Sequence, residues 1–442
     1  MSSPFLLEDD FLPAYESFHS FQKKAQEDFG IAVSRGQDIA FPFFFRITLD
    51  FEESYFYAKK ILLTLLWMVG GDKITLLAKE GSSFASYFHH RASLDPEIQT
   101  SCKAMEEILS SPLSWEISPE LPEKKERQAS FGSSFSGSRI GLDLGGSDRK
   151  VTAMVDGKVV YSNETLWSPK GEKDYHYHVE GIKQSLLEAK SHLQKVDAVG
   201  VSIAGTCLDN NLIFPALFAS VPESDKIGPV KNLFKDLIPE LFPNVPFQIE
   251  NDGDVSAIGA SVMFGMDNVL GLALGTSFAA GYAEKGYLLS WINELSKAPI
   301  NFSPSARKHY IFGIDGAASE YLSQKGIVLL LEKVGFPLSG TLPEKLLQIQ
   351  EEMKRGNPIV EKAYRDMGIY LGSSLAYFSL FYPVKNVLLL GRVLTGEGGQ
   401  ILMESAQEYL NSKNVEIRLG SADENFKRLG QSYVAACLPK VG

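Results

Sequence analysis

The chain has 442 residues, 44% of them hydrophobic and 11% aromatic, enough for substantial apolar cores in two or three domains. A formal net charge of -11 argues against nucleic acid or an anionic membrane as the main partner, because either attracts a basic surface. Three cysteines, far apart and with no CxxC pair, read as thiols in a reducing, cytoplasmic compartment.

The first thirty residues carry Glu8, Asp9 and Asp10 rather than a basic leader. The longest largely apolar run, 61–69, falls well short of the roughly 18 residues that span a bilayer. Patterning predicts a strand at 43–49, a helix at 54–68, a strand at 73–78 and a helix at 97–109, a small α/β region within residues 1–135. Residues 110–137 shift to Ser, Pro, Glu, Lys and Gly and read as a linker. The region before it is therefore expected to serve assembly or partner contacts, with the chemistry beyond it. Residues 1–135 hold about 20 acidic and 13 basic residues and no helix-turn-helix pattern, which disfavours a DNA-binding module.

From residue 138 the alternation is regular. Strands are predicted at 140–144, 150–155 and 158–162, a helix at 181–194 and a buried parallel strand at 198–203. The pattern restarts with a strand at 246–249, a helix at 253–264 and strands at 269–273 and 279–283. Helices at 371–381 and 400–410 then flank a strand at 387–390, and a last helix covers 425–437. This is an α/β signature, divided as a smaller lobe of 138–250 plus 426–442 and a larger lobe of 251–425.

Three segments carry the chemistry. Asp143-Leu144-Gly145-Gly146-Ser147 follows an apolar strand, and only glycine lets the main chain approach a phosphate so closely. Asp143 at the strand end can hold Mg²⁺ through water, with Lys150 nearby; a hairpin turn with an acidic edge residue is the plainer alternative. Glu250-Asn251-Asp252 ends a second strand, where α/β proteins bind ligands. Asp252 can accept the proton of a hydroxyl that attacks a γ-phosphate, although Asn251, Asp252 and Asp254 also suit a helix N-cap. Leu274-Gly275-Thr276-Ser277 offers N–H and hydroxyl groups to phosphate, or a simple turn. In this order the three describe ATP-dependent phosphoryl transfer to a hydroxyl. Ser168-Pro169-Lys170, after the third strand, reads as a plain turn, with a substrate-side loop as the alternative, and His176 and His178, whose i, i+2 spacing suits a metal on a strand, read with no further ligand nearby as solvated loop residues.

These segments resemble the ROK (repressor, open reading frame, kinase) and hexokinase branch of the actin-like ATPase, ribonuclease H-like fold. Asp143 through Lys150 is similar to its DxGGTxxR loop, Val199-Gly200-Val201-Ser202-Ile203-Ala204-Gly205 to its GIGVPG strand, Glu250-Asn251-Asp252 to its END segment and Leu274-Gly275-Thr276-Ser277 to its LGTG loop. Asn293-Glu294-Leu295-Ser296 falls where the family has GExGH, Gly316-Ala317-Ala318-Ser319-Glu320 resembles GCLE, and Leu388-Leu389-Leu390-Gly391-Arg392 resembles the adenosine-site strand.

The resemblance implies a cytoplasmic glucokinase-like enzyme that uses ATP and Mg²⁺ to phosphorylate a hexose or N-acetylhexosamine, with a homodimer left open. It implies Asp252 as base and Asp143 on the metal side. Gly145, Gly146, Ser147, Lys150, Gly275, Thr276, Ser277 and Gly391 would meet the nucleotide, and Gly205, Asn251, Glu294 and Glu320 the sugar. The family's zinc ligands are replaced, Lys297 standing near the expected His and Ala317 in place of a Cys, so no structural zinc is expected. Asp148 adds an acid to the first loop, to be offset by Arg149 or Lys150. The alternative reading is a silent sugar sensor on the same fold. An ATPase resembling acetate kinase or the chaperones fits less well with the paired Glu294 and Glu320.

Overall fold

The computed structural model describes residues 6–8, 10–131, 135–284, 286–421 and 424–440. The N-terminal region comprises α1 (Ala14–Lys24), β1 (Glu27–Arg35), β2 (Ile39–Ile47), α2 (Phe51–Val69), β3 (Lys73–Leu77), α3 (Phe84–Ala92), α4 (Pro96–Leu109) and β4 (Ser114–Ser118). Its sheet has the order β2-β1-β3-β4. Asp50 caps α2 by accepting the Glu52 and Glu53 N–H groups, and Gly70 ends it at φ 71. Thirteen of the nineteen residues of α2 are buried, so the helix lies inside the protein rather than on it.

The segment expected to be a linker is structured. β4 pairs with β3, and β5 (Gln128–Ser130) pairs with a strand of the larger lobe described below. The composition misleads because β4 is an edge strand with exposed side chains on both faces, so it carries few apolar residues.

The first lobe contains β6 (Ser138–Leu144), β7 (Asp148–Val155), β8 (Lys158–Leu166), α5 (Tyr175–Ser191) and β9 (Ala198–Ile203). A hairpin of β10 (Thr206–Leu208) and β11 (Asn211–Phe214) follows, then α6 (Glu223–Asp225), α7 (Lys231–Leu241) and β12 (Phe247–Asn251). The sheet order is β12-β9-β6-β7-β8, with β12, β9 and β6 parallel.

The second lobe runs α8 (Asp252–Phe264), β13 (Val269–Leu274), β14 (Phe278–Glu284), β15 (Tyr287–Leu289), α9 (Gln324–Lys333), α10 (Leu342–Lys354), α11 (Pro358–Phe378), β16 (Asn386–Leu390), α12 (Gly396–Ser412) and β17 (Arg418–Ser421). Its sheet has the order β17-β16-β13-β14-β15-β5. The last helix, α13 (Glu424–Ala435), returns to the first lobe. It lies directly on β6 and β9 because a Cβ at Gly141 would meet Ser432 O at 1.8 Å and one at Gly200 would meet Ala435 O at 1.7 Å. Only glycine permits that approach.

The N-terminal region shares one continuous apolar core with the second lobe, from Phe11, Phe21 and Trp67 through Leu272 and Tyr377 to Leu410. Phe43 stacks on Phe381 at 4.6 Å and Trp67 meets Phe312 at 4.6 Å. Polar contacts follow the same seam. The buried Lys60 ammonium donates to Asp315 O at 2.7 Å, and Glu97 Oε2 accepts the Asp315 N–H at 3.1 Å. The N–H groups of Leu6, Leu7 and Glu8 all donate to the carboxylate of Asp366. The first lobe has a separate core of Ile140, Val199, Leu186, Phe234 and their neighbours.

Candidate active site

The strand ends decide where the chemistry sits. β6, β9, β12, β13 and β16 deliver Gly145, Gly205, Asp252, Gly275 and Gly391 from their carboxyl ends. In the first loop Gly146 and Ser147 are exposed, while Gly145 N donates to Asp148 O at 2.9 Å and Trp167 Nε1 donates to Gly145 O at 2.8 Å. In the second loop Thr276 and Ser277 are exposed and Gly275 N donates to Ser277 O at 3.0 Å. A Cβ at Gly391 would meet Leu274 O at 2.2 Å, so this glycine lies directly beside the second loop.

Asp143 is held by Ser202 Oγ at 2.8 Å, and burial pushes its carboxyl up to about 6. Asp252 opens α8. Its neighbour Asn251 caps the helix through Gly253 N at 2.8 Å and ties the first lobe's Gly205 O at 2.9 Å. α8 crosses β14 closely, a Cβ at Gly281 meeting Asp254 Cα at 2.3 Å and one at Gly253 meeting Ala280 C at 2.3 Å. Burial, reinforced by the nearby Asp143 and Glu294 carboxylates, pushes Asp252 up to about 7. Its ordinary value is 3.8, so the group is poised to exchange a proton near neutrality.

Lys170, on the turn read as plain, reaches this spot. A Cβ at Gly146 would lie 3.4 Å from Lys170 Cε and 3.7 Å from its Nζ. Burial lowers the Lys170 ammonium's pKa, partly opposed by Asp252. His178 is fully buried in α5 rather than solvated, its Nε2 2.9 Å from Pro169 O and 3.2 Å from Leu217 O. The turn packs against α5 through His178, and its lysine lies beside the first loop.

The added acid Asp148 is buried. Lys150 Nζ lies 3.3 Å from its Oδ1, Arg392 Nη2 3.6 Å from its Oδ2, and Ser147 Oγ donates to Oδ2 at 3.0 Å. Arg149 turns away to Gln184 Oε1 at 3.0 Å, so of the two residues expected to offset Asp148 only Lys150 does so. Gln431 of α13 also escaped the sequence reading. Its Nε2 donates to Asp252 O at 2.9 Å and its Oε1 accepts from Ser202 Oγ at 3.0 Å, joining the surroundings of both aspartates.

Glu294 accepts from Thr206 Oγ1, from Ser296 Oγ at 3.2 Å and from the ammonium of Lys297. Burial opposes its charge, but Lys297 and these hydrogen bonds outweigh it and hold the carboxyl below its ordinary value. Glu320 is buried and paired with Lys325 at 2.5 Å. Burial, with the ammonium groups of Lys297 and Lys325 close by, lowers His309 to about 4, which leaves the imidazole neutral. Among the described residues no group of three or more His, Cys, Asp or Glu side chains is placed to hold a metal ion, and no helix is long and apolar enough to cross a membrane.

Solved structures share this architecture. The ROK hexokinase of Thermus thermophilus matches at TM-score 0.53 and 17% identity, covering 68% of this chain and 98% of that one. The ROK-type fold is shown. A ROK glucokinase from Streptomyces griseus, solved with glucose and AMPPNP, matches at 0.52 and 18%, over 68% and 99% of the two chains. A ROK transcriptional regulator described as a homologue of the E. coli MLC protein matches at 0.51 and 14%, over 80% and 88%. No family model matches the chain, and no curated protein matches it in sequence. At these identities the likeness establishes the two-lobed, actin-like ATPase fold and leaves the activity to be argued from the site.

Proposed function

We propose that the protein is an ATP-dependent kinase of a hexose or N-acetylhexosamine, with Asp252 as general base. The observation that carries this reading is Asp252 itself, pushed to about 7 at the head of α8, with the Lys170 ammonium near enough for their charges to act on each other and with glycine loops at the ends of β6 and β13. The acceptor hydroxyl gives its proton to the Asp252 carboxylate as its oxygen bonds to the γ-phosphorus and the bond to ADP breaks. Main-chain N–H groups of Gly145, Gly146, Ser147, Gly275, Thr276 and Ser277 cradle the phosphates, and Gly391 borders the adenosine. Lys170 offsets charge on the transferring group, and Lys150 keeps Asp148 from repelling it. Gly205, Asn251, Glu294 and Glu320 orient the acceptor.

Asp143 suits a Mg²⁺ bound with the nucleotide, because a buried carboxylate near the first loop is a hard oxygen donor for an ion that keeps most of its waters. That ion would neutralise charge on the β- and γ-phosphates. The glucose and AMPPNP in the Streptomyces griseus structure are consistent with this use of the fold. The work is expected to be cytoplasmic.

One observation favours a second reading, a sugar sensor without activity: the Asp148 carboxylate lies in the first loop, facing Lys150, Arg392 and Ser147. A coupled ADP-release assay with MgATP over D-glucose, D-mannose, N-acetyl-D-glucosamine and N-acetyl-D-mannosamine separates the two. The kinase reading expects one sugar to raise turnover well above the sugar-free rate. Sugar-dependent thermal stabilisation without ADP release would leave the sensor, and neither response would leave only the fold.

A further inference from the structure

The acceptor side of the cleft is built against the end of α2. The last carbonyls of a helix have no partner within it. In α2 those of Met68 and Val69 accept the N–H groups of Asn293 at 3.0 Å and Ile292 at 3.3 Å. The C-terminal end of a helix carries partial negative charge, and α2 has no basic residue in its last turn. Lys297, from elsewhere in the chain, lies against this turn, its Nζ 5.5 Å from the centre of the Trp67 ring. That ring is fixed in turn by Nε1 donating to Ser101 Oγ at 3.1 Å and by Phe312 at 4.6 Å.

The segment held in this way is under constraint. Asn293 sits at φ 48, a left-handed conformation uncommon outside glycine. Its Nδ2 donates to Asp254 Oδ1 at 3.0 Å and its Oδ1 accepts from Tyr382 OH at 3.0 Å. Asp254 lies two residues beyond Asp252, and Glu294 is the next residue after Asn293. One turn of an N-terminal helix thus reaches the base and the acceptor carboxylate through a single asparagine, and reaches the same carboxylate again through Lys297.

We propose that residues 67–70 are a positioning element of the acceptor site, holding residues 292–297 so that Lys297 stays paired with Glu294 and Asn293 stays fastened to the head of α8. The N-terminal region is then part of the enzyme's acceptor site rather than a separate module. Its kinetic consequence rests on the kinase reading above; its structural consequence does not.

The test uses the full chain with Trp67→Phe, Lys297→Met, their double variant and Gly70→Ala. The acceptor is whichever of the four sugars gives the highest ADP release. Trp67→Phe keeps an aromatic ring but weakens the cation contact and loses the bond to Ser101. It is expected to raise the sugar KM on the order of tenfold while the ATP KM stays within about twofold. Lys297→Met should do the same, and the double variant should be no worse than the worse single. Equal effects on both KM values, no effect on either, or full additivity would overturn the proposal.

If the wild type shows no sugar-dependent turnover, the kinase reading fails and hydrogen exchange decides the positioning claim alone. A Cβ at Gly70, which sits at φ 71, would meet Ile292 Cγ2 at 2.6 Å. Gly70→Ala should therefore speed exchange of the Ile292 and Asn293 amides while amides of β13 keep their protection. Unchanged exchange at Ile292 and Asn293 overturns the proposal.

Discussion

The loops at 145–147 and 275–277 are mainly main chain at strand ends, each closed by its own backbone hydrogen bond, with Trp167 donating to Gly145 O and Gly391 lying beside the second loop. On the opposite side of the cleft Glu294 is fixed by Thr206 from the first lobe, Lys297 from its own turn and, behind Lys297, Trp67 from the N-terminal region. The glycine side needs little more than a strand end and room; the acidic side needs three distant parts of the chain to arrive together. A local motif can therefore keep the first in place through extensive sequence change, whereas the second depends on side chains that must be retained as a set.

The comparison is most sharply tested at Asp252, which both sides share. Asp252→Asn should lower turnover by about 10²–10⁴ with nucleotide and sugar affinities nearly unchanged; single-turnover kinetics that retain most activity would transfer the base role to another group. Lys170→Met should follow, costing roughly 10² in kcat, and more in kcat than in the sugar KM, if the lysine meets charge that develops on the phosphoryl group. Measured effects confined to the sugar KM would place Lys170 on the acidic side instead. Gly281→Ala forces a Cβ against Asp254 Cα and should destabilise the second lobe by about 1–3 kcal/mol in denaturant titration.

The pH dependence carries the smallest but most diagnostic effect. A base at about 7 must be ionised to act, so kcat/KM should fall about tenfold per unit below pH 7 and level off above it. Stability runs the other way. Asp252 holds its proton more tightly folded than unfolded, where its value is near 3.8, so between about 3.8 and 7 the native state binds more protons and loses stability as pH rises. Asp252→Asn should therefore stabilise the protein by an amount that grows from pH 4 to 7, by at most about 1.4 kcal/mol per pH unit, and is constant above. A gain independent of pH would mean the ionised carboxylate is not the source.

The sequence made the second half of the chain readable because each strand there carries its own signal. The buried run at 198–203 coincides with β9, and the boundaries of α8, β13 and β16 fall within a residue of those expected. Asp143, Gly145, Asp252, Gly275 and Gly391 meet at the strand ends because parallel strands deliver their turns to one edge. By contrast α1, β1 and α3 escaped notice: α1 turns its apolar side to α11 of the second lobe, and Phe29 of β1 and Phe84 and Phe88 of α3 pack on one another and on α2 rather than along a regular local period. Gln431 and Trp67 escaped because what directs each is a contact far away in sequence, which no spacing records.

The apolar seam between the N-terminal region and the second lobe also bears on how the chain is made. Ribosomes release residues 14–109 first, with Phe21, Tyr57 and Trp67 on a surface whose partners, such as Phe302, Tyr377 and Phe381, emerge some two hundred residues or more later. Until then the nascent chain carries a greasy, unpaired face through the synthesis of β6 to β12, and the first lobe itself still lacks α13 over β6 and β9. Holdase chaperones should therefore engage nascent chains stalled near residue 250 far more strongly than finished ones.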